Sequence, residues 1–248
     1  MRRAVQKRDI SFVTDQYLCN SCGACLVSCT HEAIQYKETS GGYLFPEVDR
    51  NKCTSCGLCY QVCPGAGFNS TLCEQLPQDP FVGDISTCEV GRATDQKIFA
   101  NSQSGGVATA LLKSLFDSGK IEAAIVATMK IGVPPRGGVL VAHNSEELIQ
   151  AQKSKYTPIP LLGALREAQS SNSAIALVGL SCHMHGLGNL QDIFPALAKL
   201  EIFRIGLVCD RIMLSTAIDY MAKKATSEPV GNFTFRDKQF HRYPGNPV

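Results

Sequence analysis

What the chain lacks narrows it first. Nowhere do 18 apolar residues run together, so no stretch reads as a membrane-spanning helix. Met1-Arg-Arg-Ala-Val-Gln-Lys-Arg8 is basic, yet no apolar core follows it, so it does not read as an export signal. Without export, a framework of disulfides is not expected, because such bonds persist only in oxidising compartments. There is no excess of charge, with 24 Lys and Arg against 22 Asp and Glu, no tryptophan, and no basic stripe interleaved with aromatic rings. A nucleic-acid partner is therefore not expected, and the scattered lysines read as a solvated surface.

What is present in excess is cysteine, twelve in 248 residues, which without export implies a reducing, cytoplasmic setting, with a soluble arm of a membrane complex as the alternative. Eight of the twelve fall into two copies of one pattern. Cys19, Cys22, Cys25 and Cys29 recur 34 residues later as Cys53, Cys56, Cys59 and Cys63, and Gly23 recurs as Gly57. The segment is an internal duplication. Three cysteines two residues apart wrap three corners of a 4Fe-4S cube in one tight loop, and the glycine lets backbone approach the sulfides. In two-cluster ferredoxins the fourth thiolate comes from the other repeat. That pattern assigns Cys19, Cys22, Cys25 and Cys63 to one cluster and Cys53, Cys56, Cys59 and Cys29 to the other. Pro64 follows its fourth cysteine as the motif asks; Thr30 does not. Zinc knuckles pair two C-x2-C units across a longer gap and lack the third cysteine, so zinc fits less well.

Taken in order, the chain divides into a tail at 1–10, a ferredoxin domain at 11–68, a linker at 69–94 and an α/β domain at 95–248. Phe12 to Asp15, His31 to Lys37 and Tyr43 to Val48 read as short strands, with a turn at Gly41-Gly42. Pro77, Pro80 and Gly83 interrupt the linker, and Cys73 and Cys88 within it read as buried small residues. Ser104 reads as the cap of a helix carrying Val107, Leu111, Leu112, Leu115 and Phe116 on one stripe to Gly119. A strand follows over Ile121 to Thr128, then a short helix after Ser145 and another from Pro160 to Gln169. Strands at Ala174 to Val178 and Ile202 to Val208 are each followed by a helix, Gly186 to Leu200 and Leu214 to Lys224. Such alternation predicts at least partly parallel pairing. The fold class expected is α+β, a two-cluster ferredoxin-like domain followed by an α/β domain.

Cys182 and Cys209 both fall just past the carboxyl end of a predicted strand, the edge where open parallel sheets bind ligands. Helix N-termini nearby would lower their pKa, although two buried free thiols is the plainer reading. His183 and His185 read as a solvent-facing pair. The small-residue run Ser102 to Gly106 enters a helix and could hold a phosphate on backbone amides.

From residue 88 onward the chain resembles the beta-subunit family of coenzyme F420 hydrogenases and dehydrogenases. The segments that carry the resemblance are Ser104-Gly105-Gly106 with Thr109, Ser154-Lys155-Tyr156, Val178-Gly179-Leu-Ser181-Cys182, Gly206 to Cys209, and Phe235-Arg236-Asp237-Lys238 through Tyr243-Pro244-Gly245. The resemblance implies a flavoprotein in which FAD exchanges a hydride with coenzyme F420 and passes single electrons to iron-sulfur clusters and partner redox subunits. It implies Ser104, Gly105, Gly106, Thr109, Lys155, Tyr156 and Ser181 at the flavin, with Lys155 supplying positive charge to phosphate or reduced flavin. In some relatives, cysteines matching Cys182 and Cys209 help hold a third 4Fe-4S cluster. The other ligands there come from beyond the Tyr-Pro-Gly motif, so a truncated chain, a completing subunit or an absent third cluster are the expectations for this one. A flavin-free relay or docking subunit, and a reductase of the same family with another substrate, are the alternatives.

Overall fold

The computed structural model describes residues 8–67, 83–171 and 173–237. The expectations for residues 1–7, for 69–82 with Cys73, and for Lys238 and Tyr243-Pro244-Gly245 lie outside the described residues. The first module opens with helix α1 (Ser11–Thr14), continues through α2 (Ala24–Ser28), the strands β1 (Ile34–Glu38) and β2 (Leu44–Val48) and helix α3 (Leu58–Gln61), and closes on a 3-10 turn at Pro64–Ala66. Strands β1 and β2 pair antiparallel, Ile34 opposite Val48 and Glu38 opposite Leu44, across the turn at Gly42, whose φ is +82°. The expected strand over Phe12 to Asp15 is instead α1. Asp9 accepts the Ser11 N–H at 2.9 Å and starts a turn there, burying Val13 while Phe12 stays partly exposed.

The duplication is reproduced at the level of backbone angles. Helices α2 and α3 begin one repeat apart, and both follow a glycine in the left-handed region, Gly23 at φ +91° and Gly57 at φ +78°. The preceding serines do the same without being glycine, Ser21 at +54° and Ser55 at +56°. Two equivalent non-glycine residues in a disfavoured region mark a loop whose shape the surroundings impose.

The second module runs α4 (Gln96–Asn101), α5 (Val107–Asp117), β3 (Ala123–Lys130), β4 (Arg136–Ala142), α6 (Ser145–Gln150), a 3-10 turn at Leu161–Ala164, α7 (Leu165–Ser171), β5 (Ala174–Leu180), α8 (Ser181–Ile193), α9 (Pro195–Ala198), β6 (Glu201–Leu207) and α10 (Ser215–Ala225). Its sheet has the order β4-β3-β5-β6; β3, β5 and β6 run parallel, and β4 joins antiparallel as a hairpin partner of β3. Strand β4 was not expected, because Gly137-Gly138 interrupt its start. Cβ atoms there would fall 2.6 Å from Thr157 Cγ2 and 2.5 Å from Lys130 Cε, so both glycines let the side chains of Thr157 and Lys130 lie against the strand. Ser104 is not the cap of α5: that position belongs to Gly106, at φ +74°. The helix expected from Gly186 begins five residues earlier, at Ser181, and ends at Ile193 before Pro195 opens α9. Residues 83–95 carry neither helix nor strand.

The two modules share one core. Cys22, Ala24, Val27 and Val62 of the first pack in the same cluster as Ile125, Leu161, Leu162, Leu177 and Leu187 of the second. The Leu162 N–H donates to the Cys22 carbonyl at 3.0 Å, Asn189 Nδ2 donates to the Val62 carbonyl at 3.2 Å, and Arg166 donates to the carbonyls of Val27 and Cys29. Arg136 on β4 donates to Glu38 of β1 from the Nε–Nη2 edge of its guanidinium and to Asp219 of α10 from the Nη1–Nη2 edge, at 2.7 to 3.1 Å.

Candidate iron-sulfur and cofactor site

The eight repeat cysteines are all free thiols, and the fold gathers them into two groups. Cys19, Cys22, Cys25 and Cys63 feel one another's charge, although Cys63 is distant in sequence and comes from the other repeat. Cys29, Cys53, Cys56 and Cys59 line a second small cavity together with His31, Ala33 and Gly57. Each group thus contains three thiols of one loop and the fourth of the other. Backbone N–H groups already point at sulfur: Ser21 N–H donates to Cys19 Sγ at 3.4 Å and Ala33 N–H to Cys29 Sγ at 3.3 Å. These donors suit thiolates bonded to a metal cluster, which carry excess negative charge. Among the described residues no three His, Cys, Asp or Glu side chains converge as a single-ion site requires. Thiols around a cube need not converge so closely, because its corners hold them apart.

The two groups differ in their access to water. In the first, Cys22, Cys25 and Cys63 are buried, while in the second Cys56 is exposed. Burial pushes the Cys19 thiol up to about 11 and raises Cys22, Cys25 and Cys63 as well; Cys59 is pushed to about 11 by the same cause. A buried thiol resists ionising because its anion has lost its water. A bound metal removes that resistance by taking the thiolate as ligand.

Beside the first group, and touching it at Asn20, lies a cleft of about 950 Å³ at the carboxyl end of β5 and β6. Ser104, Gly105, Gly106, Thr109, Lys155 and Tyr156 line it, with Gly179, Leu180, Cys209, Arg211 and Arg236 on other sides. Ser181 is placed at the start of α8 and is not among the lining residues. The loop 102–106 is held from beneath: Ser102 Oγ donates to the Ser104 carbonyl at 2.6 Å and the Ala93 N–H to the Gly105 carbonyl at 2.7 Å. A side chain at Gly105 would strike the Gly91 carbonyl at 2.8 Å. Tyr156 Oη accepts from Arg236 at 2.9 Å, and its ring meets Phe235 edge-on. A cleft of this volume at a sheet's carboxyl edge is what a dinucleotide-sized cofactor requires. Thr157 adds a sign of fit: its hydroxyl is buried on this cleft and has no hydrogen-bond partner among the described residues.

Several expectations need correction here. Lys155, expected to supply positive charge, lines the cleft, but its Nζ donates to the carbonyls of Ala151 and Gln152, and burial, with Lys153 nearby, pulls its pKa down to about 7, which weakens that charge. Lys153 is paired instead, to Asp237 at 2.8 Å. Cys182 sits in the first turn of α8, where burial outweighs the helix amides and pushes its thiol up to about 11, against the expected lowering. Cys209 is exposed in the loop after β6 and does not stand at a helix start, since α10 begins at Ser215. The two thiols do feel each other's charge, and Cys182 also feels Cys19. His183 is buried, not solvent-facing: its Nδ1 accepts the Leu180 N–H at 2.9 Å, so Nε2 carries the proton toward the Ile159 carbonyl at 3.3 Å. Close packing of α8 on Gly179 encloses it, for a Cβ there would lie 2.8 Å from His183 Cβ. Tyr36, Asn20 and Thr157 were missed, because nothing in their local sequence sets them apart from ordinary strand and loop residues.

Comparisons with known proteins match a stretch of each module. Residues 88–166 match the family described as coenzyme F420 hydrogenase/dehydrogenase, beta subunit N-term, and residues 18–66 match the 4Fe-4S dicluster domain. The chain is 33% identical over 200 residues to the coenzyme F420-dependent sulfite reductase of Methanocaldococcus jannaschii, covering 78% of this chain and 28% of that protein. It is 29% identical over 204 residues to a subunit of the F(420)H(2) dehydrogenase of Methanosarcina mazei, covering 81% and 55%. To the beta subunit of the coenzyme F420 hydrogenase of Methanosarcina barkeri it is 30% identical over 141 residues, covering 53% and 47%. The chain therefore spans between 28% and 55% of the length of these relatives. Among solved structures, a chain of the F420-reducing NiFe hydrogenase complex from Methanosarcina barkeri shares the fold, with a TM-score of 0.58 at 24% identity over 68% of this chain and 62% of that one.

Proposed function

Because the chain belongs to the coenzyme F420 hydrogenase/dehydrogenase beta-subunit family and carries a 4Fe-4S dicluster domain ahead of the family's N-terminal region, we propose that it is an electron-transfer oxidoreductase subunit. In this reading it exchanges a hydride between coenzyme F420, or a similar two-electron carrier, and FAD, and it relays single electrons through two 4Fe-4S clusters to or from partner redox subunits. A flavin supplies the conversion between two-electron and one-electron chemistry; the protein supplies placement and electrostatics.

One observation carries the proposal, the packing of the thiols beside the cleft. Cys209 and Asn20 line the cleft, Cys182 packs against the buried cluster that holds Cys22, Cys25 packs with Cys59 and Cys63 beside Cys19 and Cys29, and Cys59 lines the second cavity with Cys29, Cys53 and the exposed Cys56. Cys19, Cys22, Cys25 and Cys63 would hold the proximal cluster, and Cys29, Cys53, Cys56 and Cys59 the distal one, nearer the surface. Ser104, Gly105, Gly106 and Thr109 would meet the flavin on one wall of the cleft, Lys155 and Tyr156 on another. Leu180 and His183 form a further wall of the cleft and would help to exclude water from a bound flavin, which hydride transfer between ring systems requires. Cys182 and Cys209 alone supply two ligands, so a third cluster would need others.

The test is an anaerobic preparation, made with partner subunits, assayed for flavin absorbance and iron and then titrated separately with reduced F420, NADH, NADPH and reduced ferredoxin. The expected result is FAD together with about eight irons per chain, two four-iron cubes, and bleaching by one two-electron donor. Iron without flavin would leave only a relay and reject the hydride chemistry.

A further inference from the structure

Tyr36 stands in the middle of β1 with its ring against the cluster of Cys25, Cys59 and Ile34. Its hydroxyl reaches into the first cysteine loop. The Gly23 N–H donates to Tyr36 Oη at 3.2 Å, and Tyr36 Oη lies 3.7 Å from Cys25 Sγ, within reach of a hydrogen bond to sulfur. In the free thiol either atom could donate. A sulfur bonded to iron has no proton, so only the phenol can. With the Gly23 N–H already entering the oxygen, the phenol's own proton is left for the sulfur.

Resting on the reading of Cys19, Cys22, Cys25 and Cys63 as a cluster site, we propose that Tyr36 is a positioning residue that donates a hydrogen bond to the Cys25 thiolate and raises the reduction potential of the proximal cluster. Reduction adds an electron to an assembly that is already anionic. A buried site resists that charge, and a donor at the sulfur relieves it. The distal group is served differently, since Cys56 and its cavity lie near solvent. The hydroxyl therefore offsets the burial of the proximal site, bringing the two potentials together so that an electron passes from one to the other without a deep step.

The experiment compares Tyr36→Phe with the unaltered full chain, both reconstituted anaerobically, by iron analysis and by EPR-monitored potentiometric titration that resolves the two clusters. One potential should fall, by a threefold to tenfold change in the one-electron equilibrium or about 30–59 mV, while the other holds. A second variant with 3-fluorotyrosine at position 36 keeps the shape and donates more strongly, so the same potential should rise. This variant decides the matter if the phenylalanine protein fails to keep its cluster. Potentials that stay put in both variants, or that move together by equal amounts, overturn the role of Tyr36. Unaltered protein that does not hold two clusters overturns the assignment beneath it, and that result is visible before any variant is compared.

Discussion

At Lys155, burial and a neighbouring cation act on a single amine. Their combined effect is a folded-state pKa of about 7 against an ordinary 10.5. Between those values the unfolded chain binds a proton that the native chain has shed, so stability rises as pH climbs from about 7 toward 10.5 and is lost in the other direction. Lys155→Met is expected to remove this rise. Urea midpoints measured at pH 7 and pH 9 should move apart in the natural protein and less so in the variant; equal movement would show the amine to be unperturbed. The residues fell unevenly to sequence reading. The placing of Cys29 beside Cys53, Cys56 and Cys59 was legible, because the spacing of the two repeats already suggested that each loop lends its fourth thiol to the other. Tyr36 and His183 were not, since what distinguishes them is a partner distant in the fold: a sulfur at 3.7 Å for one, the Ile159 carbonyl at 3.3 Å for the other.

Among the elements, α2 depends most on its first position. Gly23 combines φ +91° with a Cβ site 2.7 Å from the Pro160 carbonyl and 2.8 Å from the Gly163 nitrogen. Gly23→Ala is expected to lower stability by about 2–4 kcal/mol, through left-handed strain together with overpacking. Chemical denaturation of the iron-loaded protein measures it, and a loss below about 0.5 kcal/mol, the ordinary surface effect, would mean that α2 and the 3-10 turn at Leu161–Ala164 do not bear on each other. The strands β3 and β5 were legible from their apolar runs, since a strand buried on both faces needs such runs, and β6, which is only partly buried, was legible from Ile202, Phe203, Ile205 and Leu207. Strand β4 was not, because two glycines disguise its start. The entry into α8 was also hidden: Ser181-Cys182-His183 follow β5 with no intervening loop, so the chain turns from strand to helix without punctuation. Helix α1 was misread because four residues are too few for periodicity to separate helix from strand.

Across the whole molecule, iron and fold are predicted to stand or fall together, because Cys22 belongs to the same buried cluster as Leu162, Leu177 and Leu187. Stripping the iron anaerobically with a chelator should lower the melting temperature and raise amide exchange in 19–63, and with it in 159–166 of the second module. Exchange confined to 19–63 would contradict the shared core. The guanidinium of Arg136, clasped by Glu38 and Asp219, ties the modules a second time at the far end of β1. The Asn189 amide bonded to the Val62 carbonyl, and the apolar contact around it, also limit how such proteins can be rearranged in evolution or by the engineer. An iron wire that ends in a free surface can be cut out and spliced elsewhere as a cassette. This one would leave a raw, water-hating wound on both halves, so recombination that moves it has to carry α8 and the turn at Leu161–Ala164 along.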